Sequence, residues 1–118
     1  FTCPVGISAV GYDITQSTTL TDKQTDELFA IKDAQVLQKM LGAYICNQKC
    51  GKVTMHDPLT AAPPVKDFVS YKKCRVKVVA EGADRGKTVE SCDGKEINVA
   101  VKADIDGFME YLFKTIGG

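Results

Sequence analysis

The sequence predicts a mixed α/β fold, because its hydrophobic period changes twice along the chain. Apolar residues recur every three or four positions over residues 37–45, which is typical of an amphipathic helix. Apolar and polar residues alternate over 75–79 and 97–101, as in half-buried strands, and the helical period returns over 105–116. With 118 residues, 44% of them hydrophobic, the chain can bury a single core, so we treat residues 1–118 as one domain.

The first half of the chain predicts one strand followed by two helices. Residues 5–14 are mainly apolar and predict a short buried strand. Thr21 followed by Gln24 fits a capping box, which predicts a helix over 22–31. The stripe over 37–45 predicts a second helix that ends near Lys49, because Gly51 is a good C-terminal signal.

The second half predicts three strands between two helices. A short helix is expected over 58–62, then strands over 75–79, 87–92 and 97–101, and a final helix that Asp104 caps. Asp93-Gly94 predicts a type I′ hairpin turn, so the three strands should form an antiparallel meander. The first strand would then lack a partner within the chain. This and a first residue other than methionine lead us to expect the C-terminal part of a larger α/β enzyme.

Composition excludes several classes of function. Fifteen basic and fifteen acidic residues give zero formal charge, and no basic stripe suggests nucleic-acid binding. No apolar run approaches the roughly 18 residues that suggest a membrane span. Five irregularly spaced cysteines argue against a disulfide framework, so we expect free thiols and a cytoplasmic location.

The most distinctive stretch surrounds the single histidine, His56. Asp57 follows it and Pro58 follows that, a pattern that predicts a helix capped by Asp57. The same residues could instead form a binding site for a cation and a polar ligand. A zinc site from Cys46, Cys50 and His56 is a weaker alternative, since structural zinc sites usually have C-x-x-C pairs and four ligands.

Five short segments of the sequence resemble segments of the nucleoside hydrolases and occur in the same order along the chain. No single segment decides the resemblance, but the order and spacing of all five make coincidence implausible. It rests on residues 11–15 (GYDIT), 56–62 (HDPLTAA), 76–82 (VKVVAEG), 85–89 (RGKTV) and 98–108 (NVAVKADIDGF).

The resemblance implies an open, mostly parallel α/β sheet with flanking helices. It implies a calcium-dependent N-glycosidase that splits nucleosides such as inosine or uridine into base and ribose, in a homo-oligomer. Asp57 matches the family's calcium ligand, and His56 matches the donor that assists departure of the base. Tyr44 falls near a place where some members put an aromatic ring against the base, although it would serve equally well in core packing.

The sequence also departs from the family pattern. The family's D-x-D-x-G-x-D-D motif, which supplies further calcium ligands and the aspartate that activates water, does not occur here, nor does its ribose-contacting segment. We therefore expect this chain to be inactive without the N-terminal remainder of the same enzyme. The alternative is a non-catalytic binding module with a nucleoside-hydrolase-like fold. A self-standing enzyme built on His56 alone is disfavoured, because no second histidine or G-x-S-x-G elbow is present.

Overall fold

A computed structural model describes residues 4–47 and 51–117 of the chain. The first half holds one short strand followed by helices, and the second half supplies the other three strands and the last helix. In chain order they are β1 (Ser8–Ala9), α1 (Tyr12–Thr15), a 3-10 turn (Gln16–Thr18), α2 (Asp22–Ala30), α3 (Gln35–Asn47), α4 (His56–Ala61), β2 (Val69–Val78), β3 (Thr88–Glu90), β4 (Lys95–Ala103) and α5 (Ile105–Gly117).

The four strands form one sheet in the order β1-β4-β2-β3, which confirms the mixed α/β class. Within this chain the sheet is mostly antiparallel, with β1 and β4 as its parallel pair. The predicted meander is wrong, because β4 pairs with β2 instead of β3. The reason is length: β2 is ten residues long and offers β4 a long partner, whereas β3 has only three residues.

The first strand has its partner inside the chain, contrary to prediction. Ser8 and Ala9 lie in register with Asn98 and Val99 of β4, and the Asn98 amide donates to the Ile7 carbonyl at 2.9 Å. The strand is also shorter than predicted, because the chain becomes helical after Gly11. The Gly11 carbonyl accepts from the amides of residues 14 and 15, each at 3.1 Å.

Gly94 is required for close packing, and the predicted type I′ turn is wrong. Of the described residues, only Gly51, Gly82 and Gly86 have positive φ, whereas a type I′ turn needs positive φ at both central positions. A Cβ atom on Gly94 would fall on the backbone of Val76 in β2. The glycine therefore lets the connection between β3 and β4 pass directly against β2.

Strand β2 begins six residues before the predicted start. The adjacent Lys72 and Lys73 interrupt the alternation of apolar and polar residues over 69–74. A register shift between Ser70 and Tyr71 also leaves Val101 of β4 without a partner, which is a bulge in β4.

Two of the predicted helix starts are confirmed. The Gln24 amide donates to Thr21 Oγ1 at 3.2 Å, and the Thr21 amide donates to Gln24 Oε1 at 2.9 Å, which completes the capping box. At α5 the Gly107 amide donates to Asp104 Oδ1 at 3.0 Å. The predicted end of α3 near Lys49 lies outside the described residues.

The core lies between the sheet and the helices α4 and α5. Phe68, next to β2, packs edge-on against Phe108 of α5, with ring centroids 5.7 Å apart. The buried cluster consists of Leu20, Val53, Met55, Leu59, Ala62, Phe68, Val69, Ala100, Phe108 and Met109. Two of these residues, Met55 and Leu59, belong to the segment that carries the histidine. In the described ranges, every helix is too short or too polar to cross a membrane.

Candidate active site

His56 is the first residue of α4, and the start of this helix is fixed by burial. The Met55 carbonyl accepts from the Leu59 amide at 3.3 Å, and both side chains lie in the core, Leu59 with no exposed surface. The prediction that Asp57 caps this helix is therefore wrong. Met55 occupies the N-cap position without a side-chain bond, and Asp57 lies exposed in the first turn.

A short antiparallel contact brings α1 next to α4. The Leu20 amide donates to the Val53 carbonyl at 2.8 Å, and the Met55 amide donates to the Thr18 carbonyl at 3.1 Å. Between them, the Thr19 and Thr54 hydroxyls lie 2.7 Å apart. These contacts tie the segment after α1 to the segment before His56.

Two residues of α1 contact the His56 ring. His56 Nδ1 lies 2.8 Å from Thr15 Oγ1, at hydrogen-bond distance. The Tyr12 ring stacks on the imidazole, with centroids 5.4 Å apart and planes inclined by 23°. Thr15 is only 4% exposed, whereas Tyr12 is 72% exposed. One edge of the imidazole therefore meets the protein interior and one face lies under an exposed aromatic ring.

The other ring nitrogen, Nε2, makes no hydrogen bond to any residue of 4–47 or 51–117. The side chain of His56 is half-buried. An imidazole with Nδ1 committed to a hydroxyl group and Nε2 uncommitted can donate a hydrogen bond or a proton to a ligand from Nε2. This is the chemistry that the sequence predicts for His56, although its role with a substrate is still a prediction.

Asp57 offers an uncommitted carboxylate beside this imidazole. Its side chain forms no hydrogen bond or ion pair within the described residues, and its backbone carbonyl accepts from Thr60 Oγ1 at 2.8 Å. Calcium takes about six to eight oxygen ligands. In the described part of the chain, no three His, Cys, Asp or Glu residues gather as a metal site. Within these residues Asp57 does not belong to a metal-binding cluster, and its role as a calcium ligand stays a prediction.

The zinc alternative receives no support from these residues. Cys46 and Cys92 are exposed and Cys74 is half-buried, and none of the three forms a disulfide. Cys50, the other proposed zinc ligand, lies outside the described residues, as does Cys3. The Cys74 pKa is raised, first by a hydrogen bond with Glu90 and then by desolvation, which favours the neutral thiol.

Tyr44 lies on α3 and is 43% exposed, so it does not belong to the buried core. The helix turns Leu41 and Ile45 toward the core and leaves Met40 and Tyr44 at the surface. The ring that contacts His56 belongs to Tyr12. A role for Tyr44 against the base remains a prediction.

Sequence reasoning missed Tyr12 and Thr15 as site residues. Both fall in the segment that carried part of the family resemblance, but we interpreted that segment as the end of a strand. The available signal was the spacing of Tyr12 and Thr15, which lie three residues apart directly after Gly11. Residues at positions i and i+3 share one face of a helix.

The family model for the inosine-uridine preferring nucleoside hydrolases matches residues 1–110. The chain belongs to this family. It is 28% identical to a purine-preferring ribonucleoside hydrolase from Gardnerella vaginalis, with a TM-score of 0.78 over 96% of this chain. No curated protein matches the sequence.

Two more distant structures share the fold of this nucleoside hydrolase family member. A plant nucleoside hydrolase matches 99% of the chain with a TM-score of 0.85 at 20% identity. An inosine-uridine preferring nucleoside hydrolase from Bacillus anthracis matches 97% with a TM-score of 0.76 at 21% identity. The chain spans 40%, 43% and 37% of the lengths of these three structures, so it corresponds to less than half of each.

Proposed function

We propose that this chain forms part of a nucleoside N-ribohydrolase, in which His56 assists departure of the base. The observation that carries the proposal is the contact of His56 Nδ1 with Thr15, which leaves Nε2 as the ring nitrogen available to a ligand. The family match and the 28% identity to a purine-preferring hydrolase support a nucleoside as substrate.

The chemistry suits a single well-placed donor. Cleavage of the N-glycosidic bond moves the bonding electrons onto the base and leaves positive charge on the sugar. A donor at Nε2 stabilises the negative charge as it develops on the base, or transfers a proton to it. An aromatic side chain such as Tyr44 would add stacking to the base.

We further propose that Asp57 contributes one carboxylate ligand to calcium. When bound, the ion supplies positive charge and coordination sites that orient substrate and water. The sequence lacks the family's aspartate-rich motif, so the remaining calcium ligands and the water activator would come from the N-terminal remainder of the same enzyme. We also propose a cytoplasmic homo-oligomer.

The test is ribose release from inosine and from uridine, with calcium and again with excess chelator. Denaturing mass spectrometry of the same sample shows whether a companion chain is present. We expect chelator-sensitive release only with the companion, and His56→Ala should lower the rate about 100- to 10,000-fold, the usual contribution of a positioned acid or base.

Asp57→Asn should reduce the apparent affinity for calcium. Asp22→Asn is its matched control, because Asp22 is likewise an exposed acid in the first turn of a helix. Release that survives the chelator would contradict the calcium assignment. Nucleoside binding without release, even with the companion present, would favour the non-catalytic binding module.

A further inference from the structure

We propose that Thr15 and Tyr12 are positioning residues that fix the orientation of the His56 imidazole. The positioning itself rests on the described contacts, and its consequence for catalysis rests on the proposed function. Both residues come from α1, three positions apart, and so reach the ring from the same side of one helical turn.

The two contacts restrain different motions of the ring. The 2.8 Å contact between Thr15 Oγ1 and Nδ1 determines which edge faces the interior, so a ring flip would break it. The Tyr12 stack covers one face and limits rotation of the imidazole plane. Together they direct Nε2 away from Thr15.

The contact with Thr15 also bears on which ring nitrogen carries the proton. It has a single hydrogen and two neighbouring acceptors, His56 Nδ1 at 2.8 Å and the Tyr12 carbonyl at 3.4 Å. We infer donation to Nδ1, across the shorter contact. Donation to Nδ1 would place the proton of the neutral ring on Nε2 and make Nε2 a donor without any change of charge, whereas donation to the Tyr12 carbonyl would leave Nδ1 as the donor to Thr15.

Thr15 is itself held in place. Its side chain is 4% exposed, so water has little access to compete for the hydroxyl. Its backbone carbonyl accepts from Thr18 Oγ1 at 2.7 Å, and Thr18 has no exposed surface. A buried partner of this kind can orient an imidazole more firmly than a surface side chain can.

The experiment compares Thr15→Val, which keeps the shape and removes the hydroxyl, with Thr15→Ser, which keeps the hydroxyl. Thr25→Val is the matched control, because it removes from a half-buried residue a hydroxyl that donates to the Thr21 carbonyl and touches neither His56 nor Thr15. Long-range ¹H–¹⁵N spectra at alkaline pH report the state of Nδ1. Three-bond couplings to the His56 Cγ report whether its side chain keeps one rotamer.

We expect Thr15→Val to shift the Nδ1 resonance toward that of an imidazole without a hydrogen bond and to average the couplings. Thr15→Ser and Thr25→Val should retain the wild-type values. Tyr12→Ala removes the ring that stacks on His56 and should average the three-bond couplings of His56, whereas Tyr12→Phe keeps a ring and should retain the wild-type couplings. Unchanged spectra in Thr15→Val, or an equal change in Thr25→Val, would overturn the role of Thr15.

Measurements of ribose release distinguish a failure of this inference from a failure of the proposed function. In a sample that releases ribose, Thr15→Val should lower kcat about ten- to a hundredfold with KM little changed, the range expected when the partner that orients a functional imidazole is lost. An unchanged kcat would overturn the catalytic consequence. If the wild type releases no ribose while the spectra change as expected, the proposed function fails and the positioning stands.

Discussion

The sequence predicts that two aspartates, Asp57 and Asp104, cap helices, and in the structure only one of them does. At α5, Asp104 stands before the first helical residue, and its carboxylate accepts from the Gly107 amide at 3.0 Å. At α4, Asp57 lies one residue inside the helix, exposed and without a side-chain partner in the described ranges. The sequences suggest the same role for both, yet the structure assigns them different ones.

The difference follows from what is buried next to each carboxylate. Helix α4 starts where Met55 and Leu59 enter the core, one turn apart, and this places Asp57 past the cap position. A carboxylate that caps a helix is already bonded to the backbone. One that does not cap remains available to a cation, and Asp57 is such a group directly beside His56.

The strongest test of this comparison is Leu59→Ala. Leu59 has no exposed surface, so truncation should lower the free energy of unfolding by about 2–5 kcal/mol. Urea unfolding measures the loss, and Val36→Ala, at a position 75% exposed, should stay within about 0.5 kcal/mol of wild type. A small loss at Leu59 would mean that core burial does not fix the start of α4.

A smaller effect should distinguish the two aspartates directly. Asp104→Ala removes a helix cap and should cost about 1 kcal/mol, whereas Asp57→Ala should change the free energy of unfolding by less than about 0.5 kcal/mol. Asp104→Asn should restore most of the loss, because asparagine also caps helices well. Equal losses at the two positions would remove the distinction between them.

The smallest expected effect concerns a third carboxylate, Asp93, which has side-chain partners. Hydrogen bonds from Ser91 first, and then from Lys77, hold its pKa below the ordinary value. A lowered folded-state pKa contributes stability above the unfolded-state pKa, and that stability is lost as pH falls through the folded-state pKa. Asp93→Asn should therefore flatten the acid side of a plot of melting temperature against pH.

Lys77→Gln removes the second of the two donors to Asp93, at 3.2 Å, and should flatten the same acid limb only in part. The Ser91 hydroxyl would remain in this variant. If Asp93→Asn left the acid limb unchanged, the partnered carboxylate would contribute no measurable pH dependence.

Local sequence was sufficient where neighbouring residues decide the structure. The capping box at Thr21 and Gln24 and the cap at Asp104 form within one turn of helix, so the sequence predicted both correctly. The family resemblance likewise rests on short ordered segments, and the match over residues 1–110 confirms it. His56 and Asp57 were selected from the sequence, but their roles remain predictions.

Tertiary structure decided what depends on residues far apart in the chain. The pairing of β4 with β2 depends on the length of β2 and on Gly94 passing against Val76, which no local pattern records. The contact between Thr15 and His56 joins residues 41 positions apart. The sequence by itself determined the mixed α/β class, two helix starts and the family. Long-range packing decided where α4 starts, which aspartate stays uncommitted and what holds the imidazole, because burial energy depends on every element that meets at the core.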